Sequence, residues 1–222
     1  MMFSTKRLVT GDIPTIDRSA KIDTEMATLA MGCFWGPDAL FGAHPGIIRT
    51  RVGYAGGKKD SPTYRSLGDH TETIQLEYDP KIIDHQEILN IFLDNHDPTY
   101  PKSIQYRSMI FYHHDHQKEL ALEVKDEYPN IVVKEYTVFH MAEDYHQKYH
   151  LSTNKPLYKA FRGIYPEMAQ FVDSTAVARA NGYAAGKGYI ESEDSLKELG
   201  LNQDGRSLLY GRWRHSSGAC CR

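Results

Sequence analysis

A mixed fold of sheet and helices is predicted by three features of the 222-residue sequence. Residues 71–78 alternate with period two, putting Ile74, Leu76 and Tyr78 on one face and Thr73, Gln75 and Glu77 on the other, the pattern of a strand with one buried side. Asp84-His85-Gln86-Glu87 has the spacing of a capping box ahead of Ile88, Leu89, Ile91 and Phe92, which predicts a helix. Residues 26–31 form an apolar run that reads as a short buried strand, and Pro37-Asp38-Ala39-Leu40-Phe41 reads as the first turns of a helix, where proline is tolerated. Strands interleaved with helices at this length indicate an α+β or α/β domain.

The remaining elements follow the same logic. Residues 47–54 are a second strand, leading into a flexible Ala55-Gly56-Gly57-Lys58-Lys59 loop that lacks the spacing of a phosphate-cradling turn. Residues 105–112 and 131–139 read as strands, the latter rich in β-branched side chains. Asp115 opens a helix through Leu120, Ala121 and Val124. Further helices are predicted at 142–150, at 167–180 after Pro166, and at 192–199, ended by Gly200. Residues 1–24 read as a loosely ordered leader and 25–202 as one domain. Residues 203–222, without period and ending Ser216-Ser217-Gly218-Ala219-Cys220-Cys221-Arg222, read as a mobile tail.

Composition excludes several classes of protein. A net charge of −3 gives no field to gather nucleic acid or anionic lipid, and Lys58-Lys59 and Arg212-Trp213-Arg214 are too short to change that. No apolar run reaches the length of a membrane span. Lys6 and Arg7 are followed by no apolar segment of the secretory type. Three cysteines, an odd number in no disulfide or zinc-finger spacing, fit a reducing compartment, and a cytoplasmic location is expected.

Chemistry concentrates at Gly32-Cys33-Phe34-Trp35-Gly36. A thiol on a strand-to-helix turn lies near backbone N–H groups and the positive end of a helix dipole, which is expected to lower its pKa. Phe34 and Trp35 offer apolar walls, and the glycines allow close approach of another backbone or a ligand. A buried inert cysteine is the competing reading, and the residues alone leave both open. Glu72 has the parity of the apolar set in its strand; buried there, its carboxyl would have a raised pKa and serve as a proton donor near neutrality, whereas at an exposed strand start it would be ordinary. His113-His114-x-His116 has no fourth ligand nearby and reads as surface histidines.

Gly-Cys-Phe-Trp-Gly resembles the signature of the A-type peptide methionine sulfoxide reductases, and the resemblance runs clearly over residues 28–149 and more loosely beyond. It implies a two-layer α+β fold with a ferredoxin-like core wrapped in extra helices. It further implies that methionine sulfoxide, S epimer, free or protein-bound, is reduced by thiolate attack from Cys33. His70-Thr71-Glu72 is similar to the family's His-Ala-Glu, which places the acid at Glu72. Pro62-Thr63-Tyr64 and Gln105-Tyr106-Arg107-Ser108 match family elements whose tyrosines, here Tyr64 and Tyr106, hold the sulfoxide oxygen, with Phe34 and Trp35 around the S-methyl group. The resulting sulfenic acid would be resolved by Cys220 or Cys221, as in animal members with C-terminal recycling cysteines, and the disulfide reduced by thioredoxin. No metal or organic cofactor is implied.

The chain departs from the family pattern in two places. The segment between Tyr64 and Glu72 is short, and the segment from Asp97-Pro98-Thr99 to Gln105 lacks the Gln-Gly-x-Asp element that supplies a pocket aspartate. Glu143-Asp144-Tyr145-His146-Gln147 resembles a family helix to which no catalytic step is assigned. Two rival readings are a cysteine hydrolase or acyltransferase with His44 or His70 as base, and a non-enzymatic redox or zinc-binding module using Cys220, Cys221 and His215.

Overall fold

The alternation in residues 71–78 is realised as a central strand whose even-numbered side chains enter the main core. The computed structural model describes residues 8–20, 23–100 and 102–218. Among them, six strands form one sheet: β1 (Glu25–Met31), β2 (Ile47–Ala55), β3 (Thr71–Tyr78), β4 (Ser108–Tyr112), β5 (Val132–Glu135) and β6 (Phe139–Met141). The helices are α1 (Thr15–Arg18), α2 (Trp35–Gly42), α3 (His85–Asp94), α4 (Asp115–Glu127), α5 (Tyr149–Thr153), α6 (Lys155–Ile164), α7 (Met168–Asp173), α8 (Thr175–Ala184) and α9 (Gln203–Gly218).

Spatial order in the sheet is β5-β4-β1-β3-β2-β6. Within it, β1-α2-β2-β3-α3-β4 folds with strand order β4-β1-β3-β2, every neighbour antiparallel, which is the ferredoxin-like arrangement. β5 is added parallel to β4 after the α4 crossover, and β6 antiparallel to β2. Ala27, Leu29, Val52, Tyr54, Ile74, Leu76 and Ile110 point to one core with Phe41 of α2, Ile88, Leu89 and Phe92 of α3, and Ala121 and Val124 of α4. Ala30, Ala55, Met109 and Phe111 make a smaller cluster of their own with Val132 and Phe139. A further apolar cluster joins α5 to α9 and the segment around Val9.

Several boundaries differ from the sequence expectation. The strand expected at 131–139 is two strands, and β4 starts at Ser108 because Ile104–Tyr106 forms a 3-10 turn. The helix expected at 142–150 is a 3-10 turn, Asp144–His146, followed by Lys148 in the left-handed region (φ 52°) and then α5. The one expected at 167–180 is interrupted by Ser174, which caps α8 by accepting from the Val177 N–H. Asp84 does accept from the Glu87 N–H at 2.8 Å. α4 opens at Asp115 as expected, with His114 as its N-cap residue, and α6 has no counterpart in the expected elements.

The two ends of the described chain support each other. Asp17, inside the expected leader, accepts hydrogen bonds from the Tyr165 and Ser174 hydroxyls and the Ala176 N–H at the start of α8. Val9 bridges to Leu201, and the Asn202 N–H donates to the Leu8 carbonyl. Residues 203–218, expected to be an aperiodic tail, are helix α9. It carries buried Leu209 and Arg206, and a Cβ at Gly205 would lie 2.2 Å from the Leu8 carbonyl oxygen. Its inner face is built from Gly, Arg and Leu, so the apolar periodicity that marks a helix in sequence is faint. Cys220 and Cys221 lie outside the described residues.

Helix α2 is fixed from beneath by a buried ion pair. Lys148 is fully buried, and its Nζ donates to Asp38 Oδ1 at 2.8 Å and to the carbonyl and hydroxyl oxygens of Thr50. Asp38 also accepts from the Thr50 hydroxyl, the Lys148 N–H and Asn181 Nδ2. At the other end of the helix the Arg179 guanidinium donates to the Gly42 and His44 carbonyls, where a cation complements the helix dipole. Replacing one partner of a buried ion pair leaves the other uncompensated and costs about 3–5 kcal/mol. Lys148→Met is therefore expected to lower the urea midpoint substantially; an unchanged midpoint would show that this network does not anchor α2.

Candidate active site

β1 ends at Met31, and Gly32 turns the chain with φ +95°, a conformation that L side chains rarely adopt. A Cβ at Gly32 or Gly36 would meet no other atom within 4 Å. The first glycine thus serves the turn, and neither is a point of close protein approach. Cys33 is exposed, Phe34 is the N-cap residue of α2, and the helix begins at Trp35.

Glu72 lies at the second position of β3, on the core side with Ile74, and is 1% exposed. Its Oε2 accepts from the Phe34 N–H at 3.1 Å, and its Oε1 accepts from Gln105 Nε2 at 2.8 Å. Burial pushes its pKa above the ordinary carboxylate value, and the two donors only partly oppose this. The exposed-start reading of Glu72 is excluded by its burial. The acid from the sheet and the thiol from the turn are thereby separated by one hydrogen bond and one residue of backbone.

The thiol behaves differently from the expectation of a depressed pKa. Lost hydration pushes Cys33 upward, and the Glu72 charge adds in the same direction. A hydrogen bond with the Trp35 backbone pulls the other way and is outweighed. The short N-terminal turn of α2 offers the sulfur that one backbone bond, while a carboxyl group sits close by, so the helix end does not dominate.

Tyr64 and Tyr106 come together over this pair. The Tyr106 hydroxyl is pushed up to about 12 by lost hydration, by hydrogen bonding with Tyr64, and by the nearby Glu72 and Cys33 charges. The Tyr106 phenol is therefore a neutral donor at physiological pH. Phe34 is buried in the core, its ring 6.0 Å from Tyr54 and 5.1 Å from His146, so it floors the site from below. Trp35 is half-buried and stacks on Tyr149 with centroids 3.8 Å apart.

Four contributors were not assigned from sequence. Gln105 holds Glu72. Glu143 accepts from the Tyr54 hydroxyl at 2.7 Å and the Tyr64 N–H at 3.0 Å, and these bonds hold its carboxyl below its ordinary value although burial opposes them. His146 Nδ1 accepts from Trp35 Nε1 at 3.2 Å, with its ring against Phe34 and Tyr64; burial pushes its pKa down, and the Glu143 charge opposes this only in part. Tyr149 backs the indole. Gln105, Glu143 and His146 stand in motifs visible in the sequence, but only the tertiary fold brings them to Cys33.

The histidines invoked for a hydrolase are occupied elsewhere. His70 Nδ1 accepts from the Gly57 N–H, and its Nε2 donates to the Lys59 carbonyl at 2.8 Å. His44 lies beyond the far end of α2, bonded to the Pro45 carbonyl. His113 contacts the Thr28 hydroxyl at 2.9 Å and stacks on Tyr136, so it is not a surface histidine. Among the described residues no group of three or more His, Cys, Asp or Glu could hold a metal ion, and no helix is long and apolar enough to cross a membrane.

The fold and site define a ferredoxin-like α+β protein with an exposed thiol beside a buried carboxyl whose pKa is raised. Residues 25–179 match the family model described as peptide methionine sulfoxide reductase. The chain belongs to that family. A protein named peptide methionine sulfoxide reductase from Drosophila melanogaster is 42% identical over 195 residues, covering 83% of this chain and 78% of its own. A peptide methionine sulfoxide reductase A5 from Oryza sativa is 39% identical over 181 residues, 75% of this chain and 70% of its own. Among solved structures, reduced Mxr1 from Saccharomyces cerevisiae superposes with a TM-score of 0.53 at 33% identity, over 62% of this chain and 91% of that one. Methionine sulfoxide reductase A of Corynebacterium diphtheriae gives 0.54 at 28% identity, over 61% and 77%.

Because the Glu72 charge raises the Cys33 pKa, removing it lowers that pKa. Glu72→Gln is expected to move the pH dependence of Cys33 alkylation by iodoacetamide toward lower pH. A midpoint that stays put or rises would refute the electrostatic coupling of the two groups.

Proposed function

We propose that this protein reduces methionine sulfoxide, in the S configuration and free or within polypeptides, with Cys33 as nucleophile and Glu72 as general acid. The observation that carries the reading is the buried Glu72 carboxyl hydrogen-bonded to the Phe34 N–H, next to the exposed Cys33 thiol. A sulfoxide oxygen cannot leave as an oxide, so it has to be protonated while its sulfur is attacked. Both needs are served by a thiol that ionises on binding and a carboxyl that keeps its proton near neutrality.

In the proposed cycle the Cys33 thiolate forms a bond to the sulfoxide sulfur as the Glu72 proton passes to the oxygen. Tyr64 and Tyr106 hold that oxygen by hydrogen bonds, and Trp35, floored by Phe34, contacts the S-methyl group. The S–O bond breaks as the hydroxyl passes to the Cys33 sulfur. The transient bond from Cys33 to the substrate sulfur breaks with its electron pair going to that sulfur, methionine leaves as the thioether, and Cys33 remains as a sulfenic acid. The proton given up by the thiol restores Glu72. Sulfoxide is reduced by two electrons and the thiol oxidised by two. Glu72 leaves as a carboxylate already held by Phe34 N–H and Gln105, which eases the proton's departure.

Cys220 or Cys221 then attacks the sulfenic acid, releasing water and forming a disulfide that thioredoxin reduces in a cytoplasmic setting. The residues present call for no metal or organic cofactor in these steps. Glu143, pinned beneath Tyr64, stands as the carboxylate of the site in a chain that lacks the family's pocket aspartate.

Cys33→Ser is expected to abolish turnover of the S epimer. Glu72→Gln is expected to lower kcat by roughly 10²–10⁴-fold, the usual contribution of a general acid. Replacing Cys220 and Cys221 together by serine is expected to leave one methionine released per enzyme in a single-turnover assay while thioredoxin-driven cycling stops. Unimpaired cycling would reject the tail cysteines as the resolving thiols.

A further inference from the structure

Helix α9 and the loop after α8 lie beyond residues 25–179, the part matched by the family, and they carry an aromatic, cationic surface that the chemistry above does not use. Trp213 stacks with Tyr210 at 5.7 Å between ring centroids and meets Tyr189 edge-on at 6.2 Å. Arg214 lies over the Tyr210 ring. Tyr189 is 76% exposed, an unusual position for a large aromatic side chain. From Leu208 to the end of the chain there is no Asp or Glu, while Arg212, Arg214 and His215 fall within α9 and Lys187 in the neighbouring loop.

Helix α9 is also tied toward the active site. Arg212 Nε donates to the Ala184 carbonyl at 3.0 Å, and Trp213 Nε1 donates to the Gly188 carbonyl at 3.2 Å. The Arg212 and Lys187 charges act on His150, whose ring meets Tyr149 edge-on, and Tyr149 stacks on Trp35 beside Cys33.

We infer that Tyr189, Tyr210, Trp213 and Arg214 form the docking surface for the protein dithiol that reduces the disulfide made by Cys220 or Cys221, a partner presenting an apolar rim with acidic groups. The inference rests on the reading of the tail cysteines given above. α9 is described to Gly218, and Cys220 follows two residues later, at most about 7 Å away along extended chain. Trp213 precedes Gly218 by five residues, about 7.5 Å of helix. A standard protein interface covers about 800 Å² per partner, roughly a disc of 16 Å radius. A protein that reaches Cys220 with such a footprint comes within range of Trp213 and its neighbours. Small dithiols need no such surface, which separates docking from chemistry.

The test uses the full-length enzyme with an S-sulfoxide substrate and two reductants, thioredoxin with its NADPH-dependent reductase and dithiothreitol. Tyr189→Glu and Arg214→Glu are chosen because both side chains are exposed. Each is expected to raise the KM for thioredoxin about tenfold, as loss of an interface anchor does, with dithiothreitol-driven turnover unchanged. The wild-type KM for thioredoxin is expected to rise with ionic strength while the dithiothreitol rate does not. An unchanged KM in both variants, or an equal loss with both reductants, overturns the docking surface. A wild-type protein inactive with dithiothreitol would instead overturn the proposed reductase activity itself.

Discussion

The hydrogen bond from the Phe34 N–H to the Glu72 carboxyl is the contact on which the candidate site depends. It joins the turn after β1 to the start of β3, two segments far apart in sequence and adjacent in the sheet. It also fixes the electrostatics of both groups. Burial shifts the carboxyl toward its protonated form, and the Phe34 N–H opposes this by stabilising the anion. The thiol, one residue away, feels the ionised form of the same carboxyl as a charge that discourages its own ionisation.

That contact needs a rigid turn, and the rigidity comes from below. Asp38, Lys148, Thr50 and Asn181 tie α2 to β2, to the turn before α5 and to α8 through buried charge-assisted bonds. α8 reaches α2 closely because Gly42 and Gly182 have no side chains: a Cβ at either would lie 2.6 Å from a carbonyl oxygen of the other helix. Lys148 adopts a left-handed backbone in order to enter this network, and so the helix expected through 142–150 is broken there. Gln147 continues the same device by pairing with both backbone groups of Val52, whose carbonyl also accepts from the Ala142 N–H after β6.

Around the carboxyl, the site is assembled from motifs that were visible without their meaning. Gln105 was legible as part of Gln-Tyr-Arg-Ser, and Glu143 and His146 as part of one run. Their roles depend on the 3-10 turns that carry them, and such short turns leave no periodic trace. The depressed thiol expected from the helix N-terminus failed for a related reason: the helix dipole is visible in the sequence order, but the burial and the opposing carboxylate are not. The α9 helix was missed because its inner face is recognised only against Leu8 and the α8 segment.

By itself the sequence determined the strand parity that sends Glu72 inward, the capping box of α3, the turn chemistry around Cys33 and the family to which these residues point. These are local properties, set by side-chain type and by periods of two and 3.6 residues. Only the tertiary structure decided that Glu72 meets the Phe34 N–H, that His70 serves a loop, that Lys148 is buried, and that the C-terminal segment through Gly218 is a docked helix. Those outcomes rest on contacts between residues tens to nearly two hundred positions apart, and the desolvation that sets their energies exists only once the chain has closed around them.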